Sequence, residues 1–361
     1  IFHRITNLFT IILCKRFCNS TRRVVVTIKY FQCSSVTKSS KSIEELYVKK
    51  SPLEHILLRP DTYIGSIEKH SQMMWVLDPE SNHIVNRQIV YVPGLYKIFD
   101  EIIVNAADNK QRDPNMNKIE VTINTQENYI KVYNNGAGIP IALHQEHNIY
   151  VPELIFGNLL TGSNFDDNEE KTTGGRNGYG SKLANIFSTK FVVETADSTR
   201  KLKYQQVFSK NMTQRNDPEI TKYTSSDYTC ITFYPELKRF KMDSLDRDIV
   251  SLLSKRVYDM AGTVLASGSK LSVYLNGSRL KTLDFKEFIG LYEGLEPLVA
   301  YERVNDRWEI GVGLSEGSFQ QVSYVNSIST TKGGTHVMYI TDQIASRLVS
   351  IVKRKNKGQE I

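Results

Sequence analysis

"TGGRNGYGSK", residues 173–182, packs four glycines, an arginine and a lysine into ten positions. It comes within one exchange of a Walker loop, G-x-x-x-x-G-K-[ST]: Gly175 and Gly180 are correctly spaced, but Ser181 precedes Lys182. A Walker loop also follows a buried strand. Here the approach is "NFDDNEEKT" (164–172), acidic and without a strand pattern, so context excludes that fold along with residue order. What remains is a run of backbone N–H groups freed by glycine, then a helix from Ser181 whose first turn carries Lys182 and whose N-terminus favours anions. That suits a polyphosphate under a hinged lid, reached by the long polar loop 161–180.

Working outward, Pro93-Gly94 opens the helical stretch "LYKIFDEIIVNAADNKQ". Leu95, Ile98, Phe99, Ile102, Ile103 and Ala106 recur at three- and four-residue spacing and form one apolar face. Glu101, Asn105 and Asp108 fall at i, i+4 and i+7 and form a second, polar stripe. Asn and Asp compete with their own backbone and are poor choices for a merely wet helix face. Two readings fit: a solvated face, or a carboxylate and an amide one turn apart that activate a water and hold a hard cation. Two further loops are equally two-sided. "NNGAGIP" (134–140) follows a strand, and Gly136 and Gly138 make either an ordinary turn or a close approach for a flat ligand. "TGSN" (161–164) is either a helix stop at Gly162 or a cluster of hydroxyl and amide groups.

The remaining pattern is α+β. "SPLEHILLRPDTYIG" predicts a short amphipathic helix broken at Arg59-Pro60, "MMWVL" and "QIVYV" predict strands, and "KIEVTIN" with "YIKVY" predicts a hairpin. A helix "PELIFGNLL" precedes the polar loop, and strands follow at "KFVVETA", "LKYQQVFS", "YTCITFYP" and "KLSVYLNG", with a helix across 243–261. From Glu296-Pro297 a second unit begins: strands "RWEIGVGL" and "FQQVSYVN", the loop "STTKGGT" and the helix "HVMYITDQIASRLVSIVKR". At about 60 residues this is too little core to stand alone, so the second unit reads as cut short.

The net charge of +7 is not spread over the chain. Residues 1–43 hold eight Lys/Arg and no Asp/Glu, and the other 318 residues hold 38 basic and 39 acidic groups. That first segment lacks an initiating Met, so the sequence reads as beginning inside a longer frame. It also carries Cys14, Cys18 and Cys33, leaving only Cys230 in the body and no cysteine framework there. "LFTIIL" (8–13) is too short to span a membrane. The segment reads as a disordered extension or as the remnant of an organelle-targeting peptide, which would place the protein in the mitochondrion.

Taken in order, "FDEIIVNAADNK", "YNNGAGIP", "IFGNLLTGSN" and "TGGRNGYGSKLANIFSTKF" resemble the ATPase region of the eukaryotic type IIA DNA topoisomerases, members of the superfamily that includes the gyrase ATPase, Hsp90, MutL and sensor histidine kinases. "LEHILLRPDTYIGS", "YVPGLYKIFDE", "YVNSISTTKGGTHV" and "KRKNKG" extend the resemblance from about Glu44 to the end. "VNAADNK" and "GGRNGYGSK" fit these enzymes better than the chaperone or mismatch-repair branches. The resemblance implies a GHKL (Bergerat) sandwich of mixed sheet and helices at 44–296, then a truncated transducer domain of the ribosomal S5-like kind at 297–361. It implies ATP and Mg²⁺ as cofactors. Glu101 would be the general base for the water that attacks the γ-phosphate, Asn105 would hold Mg²⁺, and Asn134 would lie at the adenine end. Gly162, Ser163 and Asn164 would contact ribose and phosphate. Gly175, Arg176, Asn177, Gly178, Tyr179, Gly180, Ser181 and Lys182 would form the lid over the triphosphate. Gly162 and Ala137 stand where the family more often has Ser and Lys. Lys332, Gly333 and Gly334 match a loop that the family turns toward double-stranded DNA, and "VKRKNK" (352–357) is either a second such contact or a solvated helix end. The resemblance further implies a nuclear, homodimeric N-gate with no membrane segment, in which ATP closes the dimer around a duplex and Tyr47 lies on an arm that reaches the partner. On that reading the sequence stops before the transducer lysine, the cleavage domain and its tyrosine; the alternative is a non-catalytic piece that only binds nucleotide or dimerises.

Overall fold

The computed structural model describes residues 43, 47–159, 161, 178–264, 271–281, 284–294, 300–305, 307–315 and 319–355. Of the predicted site, Gly162, Ser163, Asn164, Gly175, Arg176 and Asn177 therefore lie outside the described residues, as does the boundary placed at 296/297.

The chain enters through helix α1 (Pro52–Leu58), whose Ser51 and Glu54 form a reciprocal capping box. Arg59-Pro60 then ends it and starts the single turn α2 (Pro60–Tyr63). Strands β1 (His70–Leu77) and β2 (Ile84–Tyr91) pair as an antiparallel hairpin. Pro93 at the first turn opens α3 (Pro93–Arg112), the 20-residue helix on which the site is built.

Strands β3 (Lys118–Asn124) and β4 (Tyr129–Asn135) alternate buried and half-exposed positions, so one face of their sheet is covered and the other is partly wet. Around them grows a nine-stranded sheet of β5 (Ser188–Asp197), β6 (Leu202–Ser209), β7 (Gln214–Arg215), β8 (Glu219–Lys222), β9 (Tyr228–Pro235), β10 (Ser272–Leu275) and β11 (Ser278–Arg279). Its order is β11-β10-β3-β4-β9-β5-β6-β7, with β8 also on β6. The β10–β3 pair is parallel and every other ladder is antiparallel, which makes the sheet mixed, as expected.

The apolar face of α3, with Leu95, Ile98, Phe99, Ile102, Ile103, Ala106 and Ala107 all buried, packs into one core with the sheet. That core also takes in the short helix α5 (Gly180–Ile186) and the long helix α6 (Arg247–Thr263). Each large apolar side chain removed from water there contributes about 1.5–3 kcal/mol before conformational entropy is counted. This packing fixes the rotation of α3 and so decides where its polar stripe faces. Helix α4 (Val151–Gly157) stops short of the predicted "PELIFGNLL". Thr161 Oγ1 donates to the Leu154 and Asn158 carbonyls and turns the chain, and a side chain at Gly157 would meet the Phe208 ring.

Beyond α7 (Phe285–Ile289), the described residues form the antiparallel pairs β12 (Ala300–Asn305)–β13 (Trp308–Val312) and β14 (Tyr324–Val325)–β15 (Ile328–Ser329), the latter a hairpin, then α8 (Thr335–Lys355). The predicted strand "FQQVSYVN" shrinks to Tyr324–Val325. Gln321 and Ser323 instead spend their side chains on the Thr330 and Thr331 carbonyls. Helix α8 buries no residue fully. Among the described residues no helix is long and apolar enough to cross a membrane, and Cys230 is a buried free thiol whose pKa burial pushes up to about 11.

Candidate nucleotide site

The stripe of α3 meets the start of α5 at Glu101, and the C-terminal end of α3 meets the loop 134–140. Glu101, the first member of the stripe, is half-buried, and a Cβ placed on Gly180 would collide with the Glu101 Oε2 atom. Only glycine allows the first residue of α5 to lie so close to the carboxylate. The other oxygen, Oε1, is held 2.5 Å from Lys97 Nζ, one turn earlier on the same helix. Burial disfavours the Lys97 charge, but the Glu101 carboxylate outweighs it and raises the Lys97 pKa. The pair thus leaves Oε2 as the oxygen directed at α5.

Asn105, one turn beyond Glu101, is half-buried and its side chain has no hydrogen-bond partner among the described residues. Its amide oxygen is a hard donor of the kind Mg²⁺ accepts, beside a carboxylate, so the residues present fit the expected cation. Asp108, the third member of the stripe, is buried.

At the C-terminal end of α3, Asp113 Oδ2 accepts the Ala137 N–H at 2.7 Å and Asn109 Nδ2 donates to the Ala137 carbonyl at 3.4 Å. Gly136 adopts φ +91°, and a Cβ there would lie 2.7 Å from that of Met116. A Cβ on Gly138 would collide with the Ala196 carbonyl on β5, while Thr195 Oγ1 and Asp197 Oδ2 accept the N–H groups of Ile139 and Ile141. The loop 134–140 is therefore clamped between the end of α3 and β5, which accounts for both glycines. Asn134 at its start is buried on β4, its Nδ2 donating to the Asn135 carbonyl at 3.0 Å.

Helix α5 is only seven residues long, so its dipole is weaker than the sequence suggested, and local N–H groups at 180–182 are its main offer to an anion. Ser181 and Lys182 are buried. Lys182 Nζ donates to the Gly178 carbonyl at 2.6 Å and to the Thr161 carbonyl, so it ties together the two ends of segment 162–177. An ammonium has three N–H donors, which leaves one for a phosphate oxygen. Burial lowers the Lys182 pKa to about 8. Tyr179 packs its ring near Tyr63, 6.4 Å between centroids, and Asn185 Nδ2 donates to the Phe156 carbonyl and fixes α5 against α4.

Lys97, Asn109, Asp113, Thr195 and Asp197 were not anticipated. Only Lys97 had a local signal, its i, i+4 spacing to Glu101; the others act across 24 to 56 residues of sequence. Among the described residues, none of those from 300 onward is in contact with Glu101, Asn105 or Lys182 through a hydrogen bond or ion pair. The loop after β15 holds Gly333 at φ +72° in a turn closed by the Gly333 N–H to the Thr330 carbonyl, with Lys332 exposed at the tip. Tyr47 is 81% exposed. One group of described residues could hold a metal through nitrogen, His144, Glu146 and His147. Two imidazoles suit zinc better than Mg²⁺, so this is a different chemistry from that of Asn105.

Two family models match the chain: histidine kinase-, DNA gyrase B- and HSP90-like ATPase over residues 91–238, and DNA gyrase B over residues 274–360. Among solved structures, the ATPase region of Saccharomyces cerevisiae topoisomerase II superposes with a TM-score of 0.82 at 52% identity, covering 87% of this chain and 82% of that one. The chain belongs to the type II DNA topoisomerase family. It is homologous to the ATPase and transducer region of those enzymes, with the GHKL fold. The ATPase and transducer domains of DNA topoisomerase II from Balamuthia mandrillaris give the same TM-score, 0.82, at 50% identity, covering 87% of this chain and 80% of that one. DNA topoisomerase 2 of Arabidopsis thaliana is 55% identical over 337 residues, which is 91% of this chain and 22% of that protein. The chain thus spans about a fifth of the length of the curated topoisomerases it matches.

Proposed function

We propose that this chain binds ATP with Mg²⁺ and hydrolyses it, as the ATP-driven clamp of a type II topoisomerase. The observation that carries this reading is the contact between Glu101 Oε2 and the side-chain-free Gly180, because it brings a carboxylate to the start of helix α5, where the glycine-rich segment ends. On this reading Glu101 takes a proton from the water that attacks the γ-phosphate, and ADP leaves as the P–O bond breaks. Lys97 orients the base through its other oxygen. Lys182 and the N–H groups of 180–182 hold phosphate oxygens, and the clamped loop 134–140 with Asn134 receives the adenine. Asn105 holds Mg²⁺, which when bound neutralises charge on the phosphates.

The finer assignments to Gly162, Ser163, Asn164, Gly175, Arg176 and Asn177 belong to the same reading. So do the division into an ATPase unit at 44–296 and a transducer unit from 297, a nuclear location, and dimerisation through the arm that carries the exposed Tyr47. Double-stranded DNA is the partner of the Lys332–Gly334 loop. Its exposed cation on a turn pinned by hydrogen bonds offers a phosphate contact without base readout.

Calorimetry of residues 44–361 with ATP, with and without EDTA, tests the first step. Mg²⁺-dependent binding supports the reading; no binding in either condition overturns it.

A further inference from the structure

Next to Glu101 on α3 stands Asp100, which is buried and faces α6. Four buried charges meet there: Asp100, Lys255, Arg256 and Asp259. Arg256 Nε donates to Asp100 Oδ1 at 2.6 Å, and Arg256 Nη2 donates to the Ser327 carbonyl at 2.8 Å, in the turn of hairpin β14–β15. Lys255 Nζ donates to Asp259 Oδ2 at 2.8 Å and to the Tyr324 hydroxyl at 3.1 Å, and that hydroxyl donates to Asp259 Oδ1 at 2.7 Å. Tyr324 has then used its proton, so Tyr292, 2.9 Å away, is the donor to it. Two cations and two anions balance, and tyrosines close the cluster from water.

This cluster joins three elements that the ATP reading treats separately. The hairpin turn has Asn326 at φ +50° and Ser327 at φ +61°, a conformation that aims the Ser327 carbonyl at Arg256. The chain onward to Lys332 is braced, with the Thr330 N–H bonded to the Ser323 carbonyl and the Gly333 N–H to the Thr330 carbonyl. Hydrogen bonds thus run continuously from the loop at Lys332 to the hairpin that carries Ser327, and Arg256 is the only described side chain that bonds both Ser327 and Asp100. Burial works against the guanidinium charge, and Asp100 more than restores it. Arg256 Nη1, however, is buried with no acceptor among the described residues. A pair optimised for stability alone would fill that position; a guanidinium with a spare donor has another acceptor to take when the hairpin moves.

We propose that Arg256 is a positioning residue that transmits the state of hairpin β14–β15, and of the Lys332 loop that follows it, to the base Glu101 through Asp100. The proposal rests on the ATPase reading above for its catalytic consequence, and on the bonds of Arg256 for the linkage itself. Arginine suits this place because its planar fork presents two separate nitrogens, Nε to Asp100 and Nη2 to the Ser327 carbonyl, whereas a lysine has a single donor nitrogen.

Arg256→Lys in the 361-residue chain is the test, with ATP affinity, basal kcat and stimulation by linear duplex DNA measured together. The expected result is affinity within twofold of wild type, basal kcat lowered about tenfold and DNA stimulation lost. Asp100→Leu/Arg256→Met removes both charges together, and it is expected to fold and to lose stimulation in the same way even where Arg256→Lys unfolds. Amide exchange reads the linkage without turnover. Tyr324→Phe, which removes a hydroxyl bonded to Lys255 and Asp259 but to neither Arg256 nor Asp100, raises exchange across residues 98–104 when Arg256 is present and leaves it unchanged in Arg256→Lys. Folded Arg256→Lys with wild-type basal rate and stimulation overturns the proposal, as does exchange at 98–104 that ignores Tyr324→Phe in the wild-type background. Wild-type protein that shows the exchange linkage but hydrolyses no ATP refutes the ATPase reading and leaves the Arg256 linkage standing.

Discussion

Replacing Gly180 with alanine asks directly whether the lid helix and the base share one site. A Cβ on Gly180 lies 2.9 Å from Glu101 Cδ and 3.3 Å from its Cβ, and closer still to Oε2. Carbon atoms in ordinary contact stand about 3.5–4.0 Å apart, so the carboxyl group has to retreat by roughly 1 Å. Glu101 is half-buried and can swing toward solvent, which keeps the loss of stability near the lower end of the ~1–3 kcal/mol typical of overpacking. Catalysis is less forgiving: a misplacement of about 1 Å costs on the order of 100-fold. That corresponds to about 2.7 kcal/mol on the barrier. The expected result is kcat about 100-fold down with ATP affinity nearly kept, because the phosphate-binding N–H groups stay. Steady-state ADP release at saturating Mg-ATP gives kcat, calorimetry gives affinity, and a thermal melt shows that the variant is folded. Gly290→Ala, whose nearest neighbour is 3.3 Å away at a helix end, serves as the unaffected control. Folded Gly180→Ala that hydrolyses ATP at the wild-type rate refutes the shared site.

Two further outcomes are expected. The Lys182 pKa is lowered by burial to about 8 from the ordinary lysine value of 10.5, so the folded chain disfavours its cation. That penalty is present in full below pH 8 and fades as pH rises toward 10.5. A triphosphate restores the charge, so ATP binding near pH 8.5 takes up a fraction of a proton, measured by calorimetry in buffers of different ionisation enthalpy; binding without uptake there separates Lys182 from the phosphates. Lys332→Ala weakens binding to duplexes of any sequence and lowers the slope of log K against log salt by about one, since one phosphate contact is lost; an unchanged slope removes Lys332 from the DNA surface.

What the sequence made legible follows the range over which each signal acts. The α3 stripe could be read because helical period fixes both its faces, and the apolar face then determines where Glu101 and Asn105 point. The β3–β4 hairpin could be read because alternation and a polar turn are local. The reason Gly138 must be glycine could not, since it lies in the Ala196 carbonyl, 58 residues away in the chain. Nor could the Asp100–Arg256 bond, which joins residues 156 apart, because in a helical pattern both positions count simply as polar. The strand expected at "FQQVSYVN" failed for a related reason: Gln321 and Ser323 satisfy carbonyls with side chains where a ladder was assumed, a choice that alternation does not report. The polar stripe itself supported two readings until Gly180 was found against Glu101, a contact between helices that no single-helix pattern contains.

The most direct test of the account is Glu101→Ala, assayed for nucleotide binding and hydrolysis on the same preparation. The carboxylate that meets the lid helix is the group assigned to activate water, and the phosphates are held by other residues. The account predicts Mg²⁺-dependent ATP binding close to wild type and no steady-state hydrolysis above background. Hydrolysis at the wild-type rate by folded Glu101→Ala contradicts it.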